Sequence, residues 1–148
     1  MIRILFLLII IPLTCCLAQQ NYPKIWNVPI HNEYFTGRTL SLSQIKDSLT
    51  VKKGAIITIA GITGIGKTQL AKRYADLNKD KYDIVWWFEG SKNLLEQYKN
   101  LAIAINRLYP VEKIAIYSPP QTLISEVKDF LRTTKLKWLL VFDNIQKT

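Results

Sequence analysis

Cysteine is confined to two adjacent positions, Cys15 and Cys16, in a chain of 148 residues, and histidine occurs once, at His31. If the first 18 residues are removed, nothing is left for disulfides, thiol catalysis or cysteine-held metal, and the redox compartment stays open. Long apolar runs are missing as well. Ile4 to Leu13 is almost wholly apolar, but it is about half of the roughly 20 residues that a membrane-spanning helix needs. Pro12 interrupts it, so no stable membrane span is expected. There are no internal repeats or low-complexity tracts. A charged fraction of 21% with 49% hydrophobic residues excludes a disordered tail and a fibrous protein, and suits one globular domain.

What the chain does have begins at its start. Met1-Ile2-Arg3, the apolar stretch and Cys16-Leu17-Ala18 follow the layout of a secretory signal peptide over residues 1–18. The expectation is a secreted or periplasmic protein, with a cytoplasmic one if the signal is not used. A lipoprotein signal using Cys15 or Cys16, and a start codon placed too far upstream, are the other readings. The net charge is +9, yet Lys52-Lys53, Lys72-Arg73, Lys135 and Lys137 are spread along the chain. They read as solvated helix ends and loops, so no nucleic-acid partner is expected.

Residues 19–40, polar and proline-spaced, read as an extended arm or linker, and residues 41–148 as the domain. Ser41 to Lys53 carries Leu42, Ile45 and Leu49 at helical spacing, with Ser41 and Gln44 placed as a capping box and Gly54 as the stop. AIITIA at 55–60 reads as a parallel strand buried on both faces. Thr68 to Asn78 reads as an amphipathic helix on Leu70, Ala71, Tyr74, Ala75 and Leu77. IVWWF at 84–88 and WLLVF at 138–142 read as further buried strands. Between them, Asn93 to Leu108 forms a helix capped by Asn93 and Glu96, with Leu94, Leu95, Tyr98, Leu101, Ala102, Ile105 and Leu108 inward. Val111 to Ser118 reads as either loop or short strand. Ser118-Pro119-Pro120 starts a helix at Gln121 to Thr133, with Leu123, Ile124, Val127, Phe130 and Leu131 inward. The alternation of strand and helix predicts an α/β fold with a parallel sheet and flanking helices.

Gly61-Ile62-Thr63-Gly64-Ile65-Gly66-Lys67-Thr68 matches G-x-x-x-x-G-K-[ST], between an expected strand and an expected helix. Glycines at 61, 64 and 66 allow positive φ and turn successive N–H groups toward one point at a helix N-terminus, where phosphate is the natural guest. Lys67 can reach the β- and γ-phosphates, and the Thr68 hydroxyl can ligate magnesium. Such a loop also needs an acid at the end of a neighbouring buried strand, and Asp143 after WLLVF supplies it. The metal candidates are therefore Thr68 and Asp143. Asn144 follows where many ATPases carry a second acid that positions the attacking water. An amide cannot act as a general base, so the expected activity is at most a slow ATPase. Trp86 and Trp87 read as core. A nucleotide kinase or GTPase is disfavoured, because no N-K-x-D and no acceptor-site arginine cluster is present.

Val28-Pro29, Phe35-Thr36-Gly37-Arg38, GITGIGKTQLA, YDIVWWF and WLLVFDN, in that order over residues 28–144, resemble NB-ARC domains of the STAND class of P-loop NTPases. In particular the chain resembles bacterial members in which this domain precedes tetratricopeptide repeats. The resemblance implies a P-loop NTPase-type sheet, here truncated after the Walker B strand, and a switch that exchanges ADP for ATP, with Mg. It implies that Val28, Phe35 and Arg38 lie near adenine and ribose. With Gly61, Gly64, Ile65, Gly66, Lys67, Thr68 and Gln69 they make the expected nucleotide-binding set, and Lys67, Asp143 and Asn144 the expected catalytic one. Thr39 stands where the family often has an acid. In the wider class a later strand inserts between the P-loop strand and the Walker B strand. A remnant that does not turn over nucleotide, acting as a scaffold on a protein partner or full-length relative, is the alternative expectation.

Overall fold

A computed structural model describes residues 24–50, 54–110 and 113–145. The expected signal segment, with Cys15 and Cys16, lies outside the described residues. In chain order the elements are β1 (Ile25–Trp26), α1 (Thr39–Thr50), α2 (Lys67–Leu77), β2 (Ile84–Glu89), α3 (Leu94–Leu108), α4 (Pro120–Thr133) and β3 (Trp138–Asp143). The strands form one parallel sheet in the order β1-β2-β3. β2 is the central strand and is buried along residues 84–88, which accounts for its unbroken run of Ile, Val, Trp and Phe.

Successive side chains of β2 point to opposite faces of the sheet. Ile84, Trp86 and Phe88 enter a core with Tyr98, Leu101, Ala102 and Ile105 of α3 and Leu123, Val127, Phe130 and Leu131 of α4. Phe88 stacks on Phe142, its partner in register, with ring centroids 4.6 Å apart. On the other face Val85 and Leu139 meet Ile45 of α1 and Leu70, Tyr74 and Ala75 of α2. Helices thus cover both faces, and each fully buried large side chain contributes about 1.5–3 kcal/mol. The helix starts follow from local chemistry. Asn93 caps α3 by accepting from the Glu96 N–H at 3.2 Å, and Pro120 opens α4 where its missing N–H costs nothing.

Three expectations need correction. Residues 55–60 are not a strand, since no ladder pairs with them. Their exposure alternates instead: Ile57 and Ile59 pack against the α1/α2 cluster while Ile56 is 93% exposed. One face is covered and the other meets water. The Ser41/Gln44 capping box does not start α1, which begins two residues earlier at Thr39, directly after Arg38 in left-handed backbone (φ 54). Leu77, Leu94 and Leu108, expected inward, are 50%, 40% and 43% exposed, because each lies at a helix end beyond the reach of the sheet. Of the two readings given to residues 111–118, the described residues 113–118 take the first, loop and turn.

The stretch read as an extended arm lies against the domain from residue 24 onward. Ile25 and Trp26 pair with Ile84 and Val85, and the Asn27 side chain continues the ladder, accepting from the Trp87 N–H at 2.6 Å and donating to its carbonyl at 3.1 Å. Among the described residues no helix is long and apolar enough to cross a membrane.

Candidate functional site

The site forms where the C-terminal ends of β2 and β3 meet the loop that opens α2. Gly64 and Gly66 hold φ 81 and φ 89, a region that L side chains rarely adopt, and Gly66 is the N-cap of α2 without any side-chain cap. The first amides of α2 therefore keep no side-chain acceptor, and the positive end of the helix dipole lies at the loop. A Cβ at Gly66 would also meet the Arg38 guanidinium at 3.7 Å.

Three side chains tie the loop together. Lys67 Nζ donates to the carbonyls of Gly61 at 2.7 Å and Ile62 at 3.0 Å. Arg38 Nη2 donates to the Ile65 carbonyl, so the cation ahead of α1 lies on the loop that opens α2. Thr68 Oγ1 donates to Asp143 Oδ1 at 2.8 Å, across 75 residues of sequence. This last bond joins the helix start to the end of β3, and both side chains are half-buried.

The structure brings Gly61, Gly64, Ile65, Gly66, Lys67, Thr68, Arg38 and Asp143 together. Gln69 faces the arm, its Oε1 accepting from the Asn32 N–H at 3.0 Å. Val28 and Phe35 are partly buried against the α1/α2 cluster, in contact with the core beneath the loop helix. Asn144 follows Asp143 in left-handed backbone, φ 55, and is exposed. Trp86 and Trp87 are buried, at 9% and 2% exposure.

Several residues here escaped the reading of the sequence. β2 runs one residue past its apolar stretch to Glu89, whose register partner is Asp143. Gly90 comes next, and a Cβ there would sit 2.1 Å from the Asn144 carbonyl oxygen. The Gly90 N–H also donates to the Asp143 carbonyl at 2.8 Å. Glu89, Lys72, Trp87 and Asp143 line a cleft of about 260 Å³. The signal was present: IVWWFE and WLLVFD are two runs of equal length, each ending in an acid.

Among the described residues no group of three or more His, Cys, Asp or Glu side chains could hold a metal. The Thr68 hydroxyl and Asp143 carboxylate instead form a pair of hard oxygen donors. That pair suits magnesium, which keeps most of its waters and takes one or two protein oxygens beside a phosphate.

The family model of the NB-ARC domain matches residues 38–148. No curated protein and no solved structure matches the chain.

Proposed function

Because the chain belongs to the NB-ARC family, which implies nucleotide binding by a P-loop domain, we propose that residues 61–68 bind ADP or ATP together with magnesium. The observation that carries the proposal is the 2.8 Å bond between Thr68 Oγ1 and Asp143 Oδ1. It joins the residue that closes the loop to the acid that ends β3, the two positions from which a nucleotide-bound magnesium would be held.

The roles follow from chemistry. Backbone amides at Gly64, Gly66 and the first turn of α2 receive phosphate oxygens, which need donors at short range and gain from the helix dipole. Lys67 exchanges the neutral carbonyls of Gly61 and Ile62 for phosphate oxygens, since charge-assisted hydrogen bonds are roughly twice as strong as neutral ones. Thr68 and Asp143 hold the magnesium, which supplies charge neutralisation to the terminal phosphates. Arg38, fixed on the Ile65 carbonyl, and Val28 and Phe35, packed beneath the loop helix, form the base and ribose side. In this reading the domain is a switch that exchanges ADP for ATP.

The test is calorimetric titration of the full chain with Mg-ATP and with ADP, beside Lys67→Ala and a circular-dichroism melt of both. Saturable binding that weakens at least about tenfold in Lys67→Ala, corresponding to about 1.4 kcal/mol, with both melts cooperative, is the expected result. A chain that melts cooperatively and binds neither nucleotide would leave the loop a scaffold element and end this reading.

A further inference from the structure

Parallel register puts Glu89 of β2 directly beside Asp143 of β3. Neighbouring strands lie about 4.8 Å apart and register partners point to the same face. That face carries α2, as the Thr68–Asp143 bond and the shared cluster of Val85, Leu139 and Leu70 demonstrate. Glu89 and Asp143 line the same cleft, with Trp87 as its apolar wall and Lys72 at its rim. The two carboxylates are engaged differently. Asp143 is bound to Thr68, whereas among the described residues Glu89 Oε1 accepts from Lys92 alone, at 2.8 Å, an exposed i,i+3 pair that constrains it weakly.

Two carboxylates in one cleft with different partners are suited to different tasks. We propose that this cleft hydrolyses a nucleoside triphosphate and that Glu89, on the strand beside the Walker B acid, is the general base. The inference rests on the nucleotide-binding reading of residues 61–68. Water enters the cleft and its oxygen forms a bond to the γ-phosphorus while the bond from that phosphorus to the β,γ-bridging oxygen breaks. The water proton passes to the Glu89 carboxylate, the nucleoside diphosphate leaves with the bridging oxygen, and Glu89 returns its proton to solvent. Asn144, the residue after Asp143, cannot take that proton because an amide is not a base. Its backbone instead runs against Gly90, the residue after Glu89, which keeps the two strand ends close.

Glu89→Gln is a usable probe because the bonds that hold this residue in place belong to its main chain. Its N–H donates to Gln97 Oε1 at 2.8 Å and its carbonyl accepts from Gln97 Nε2 at 2.9 Å. On the full chain, with Mg-ATP, three quantities are read: phosphate release, affinity with and without magnesium, and the identity of the nucleotide retained after gel filtration. The wild type is expected to release phosphate and retain diphosphate. Glu89→Gln is expected to lose at least about 100-fold in phosphate release, keep Mg-ATP affinity within about threefold and retain intact triphosphate. Glu89→Asp should recover part of the turnover.

Phosphate release by Glu89→Gln within about threefold of wild type would overturn the proposal, since a lost general base costs far more. So would loss of the magnesium-dependent affinity in Glu89→Gln, which would make Glu89 a metal ligand, or a wild type that binds triphosphate without cleaving it. A wild type that binds no nucleotide would overturn the binding reading together with this one, and the titration separates that case from the others.

Discussion

Gly90→Ala tests how the site is built, because Gly90 has no conformational need for glycine and a strict spatial one. A methyl group at that position would lie 2.1 Å from the carbonyl oxygen of Asn144, 2.6 Å from its carbonyl carbon and 2.8 Å from Ile145 Cα. All three are backbone atoms, so no rotamer change can relieve the overlap. Ordinary contact begins at 3.4 Å, and the segment after β3 must retreat by about 1.3 Å. Overpacking of this kind costs about 1–3 kcal/mol. The same retreat stretches the Gly90 N–H bond to the Asp143 carbonyl, now 2.8 Å, and carries the Asp143 carboxylate away from Thr68. Urea unfolding followed by the fluorescence of Trp86, Trp87 and Trp138 should show the loss of stability. Titration with Mg-ATP should show affinity lowered by about tenfold or more, the scale of a misplaced hydrogen-bonding partner. Gly54→Ala is the control. Gly54 has φ 76 with nothing within 4 Å, so it should cost about 1 kcal/mol in backbone strain and leave affinity unchanged. A Gly90→Ala chain with wild-type stability and wild-type affinity would refute the claim that strand-end contact positions Asp143.

Asp143→Asn keeps an oxygen to accept from Thr68 Oγ1 but loses its charge, so the melt should change by less than about 1 kcal/mol; Mg-ATP affinity should fall to the level measured with chelator, and a surviving magnesium effect would assign the metal elsewhere. Asn27→Ala removes both bonds to the Trp87 main chain and should cost about 1–3 kcal/mol, seen as faster hydrogen exchange at the Trp87 amide and faster tryptic cleavage at Lys24; unchanged exchange would mean that β1 alone holds the arm. Burial, reinforced by the Tyr82 hydroxyl 3.1 Å away, pushes the Tyr74 phenol up from its ordinary value. Above about pH 10 the unfolded chain gives up a proton that the folded chain keeps, so this contribution is complete below about pH 10 and is lost as pH rises beyond it. Tyr74→Phe should flatten the alkaline fall in stability measured by urea unfolding, and an unaltered slope would assign that fall to other groups.

Most of the helices were legible because their evidence is local. α3 begins where Asn93 can cap it and α4 where Pro120 can open it, and both chemistries act within three residues. The loop was legible for the same reason, since glycines at 64 and 66 and the Lys67-Thr68 pair act on backbone within one turn. β1 was not legible: a two-residue strand carries no periodicity, and it exists only because β2 offers an edge and Asn27 can imitate a ladder residue. Arg38 was assigned to the base and ribose by resemblance, while its bond to the Ile65 carbonyl depends on the backbone turn ahead of α1, which no side-chain pattern records.

The contrast between residues 55–60 and β3 states the general limit. AIITIA and WLLVFD have the same apolar, β-branched or aromatic character, yet only the second is a strand. Composition specifies which side chains can sit on a sheet; a ladder also requires a partner at about 4.8 Å with free donors and acceptors. β3 finds that partner in β2 over six consecutive residue pairs. Residues 55–60 contribute Ile57 and Ile59 to the cluster with Leu139 and Val141, so hydrophobic burial holds the segment on the face of the sheet without extending the sheet itself. The same pairing places Glu89 beside Asp143. Glu89, which no motif in the sequence marks, becomes once register is known the partner of the acid that accepts from Thr68. Strand pairing therefore brings the two acids together, and the distinct tasks proposed for them rest on the register of the sheet.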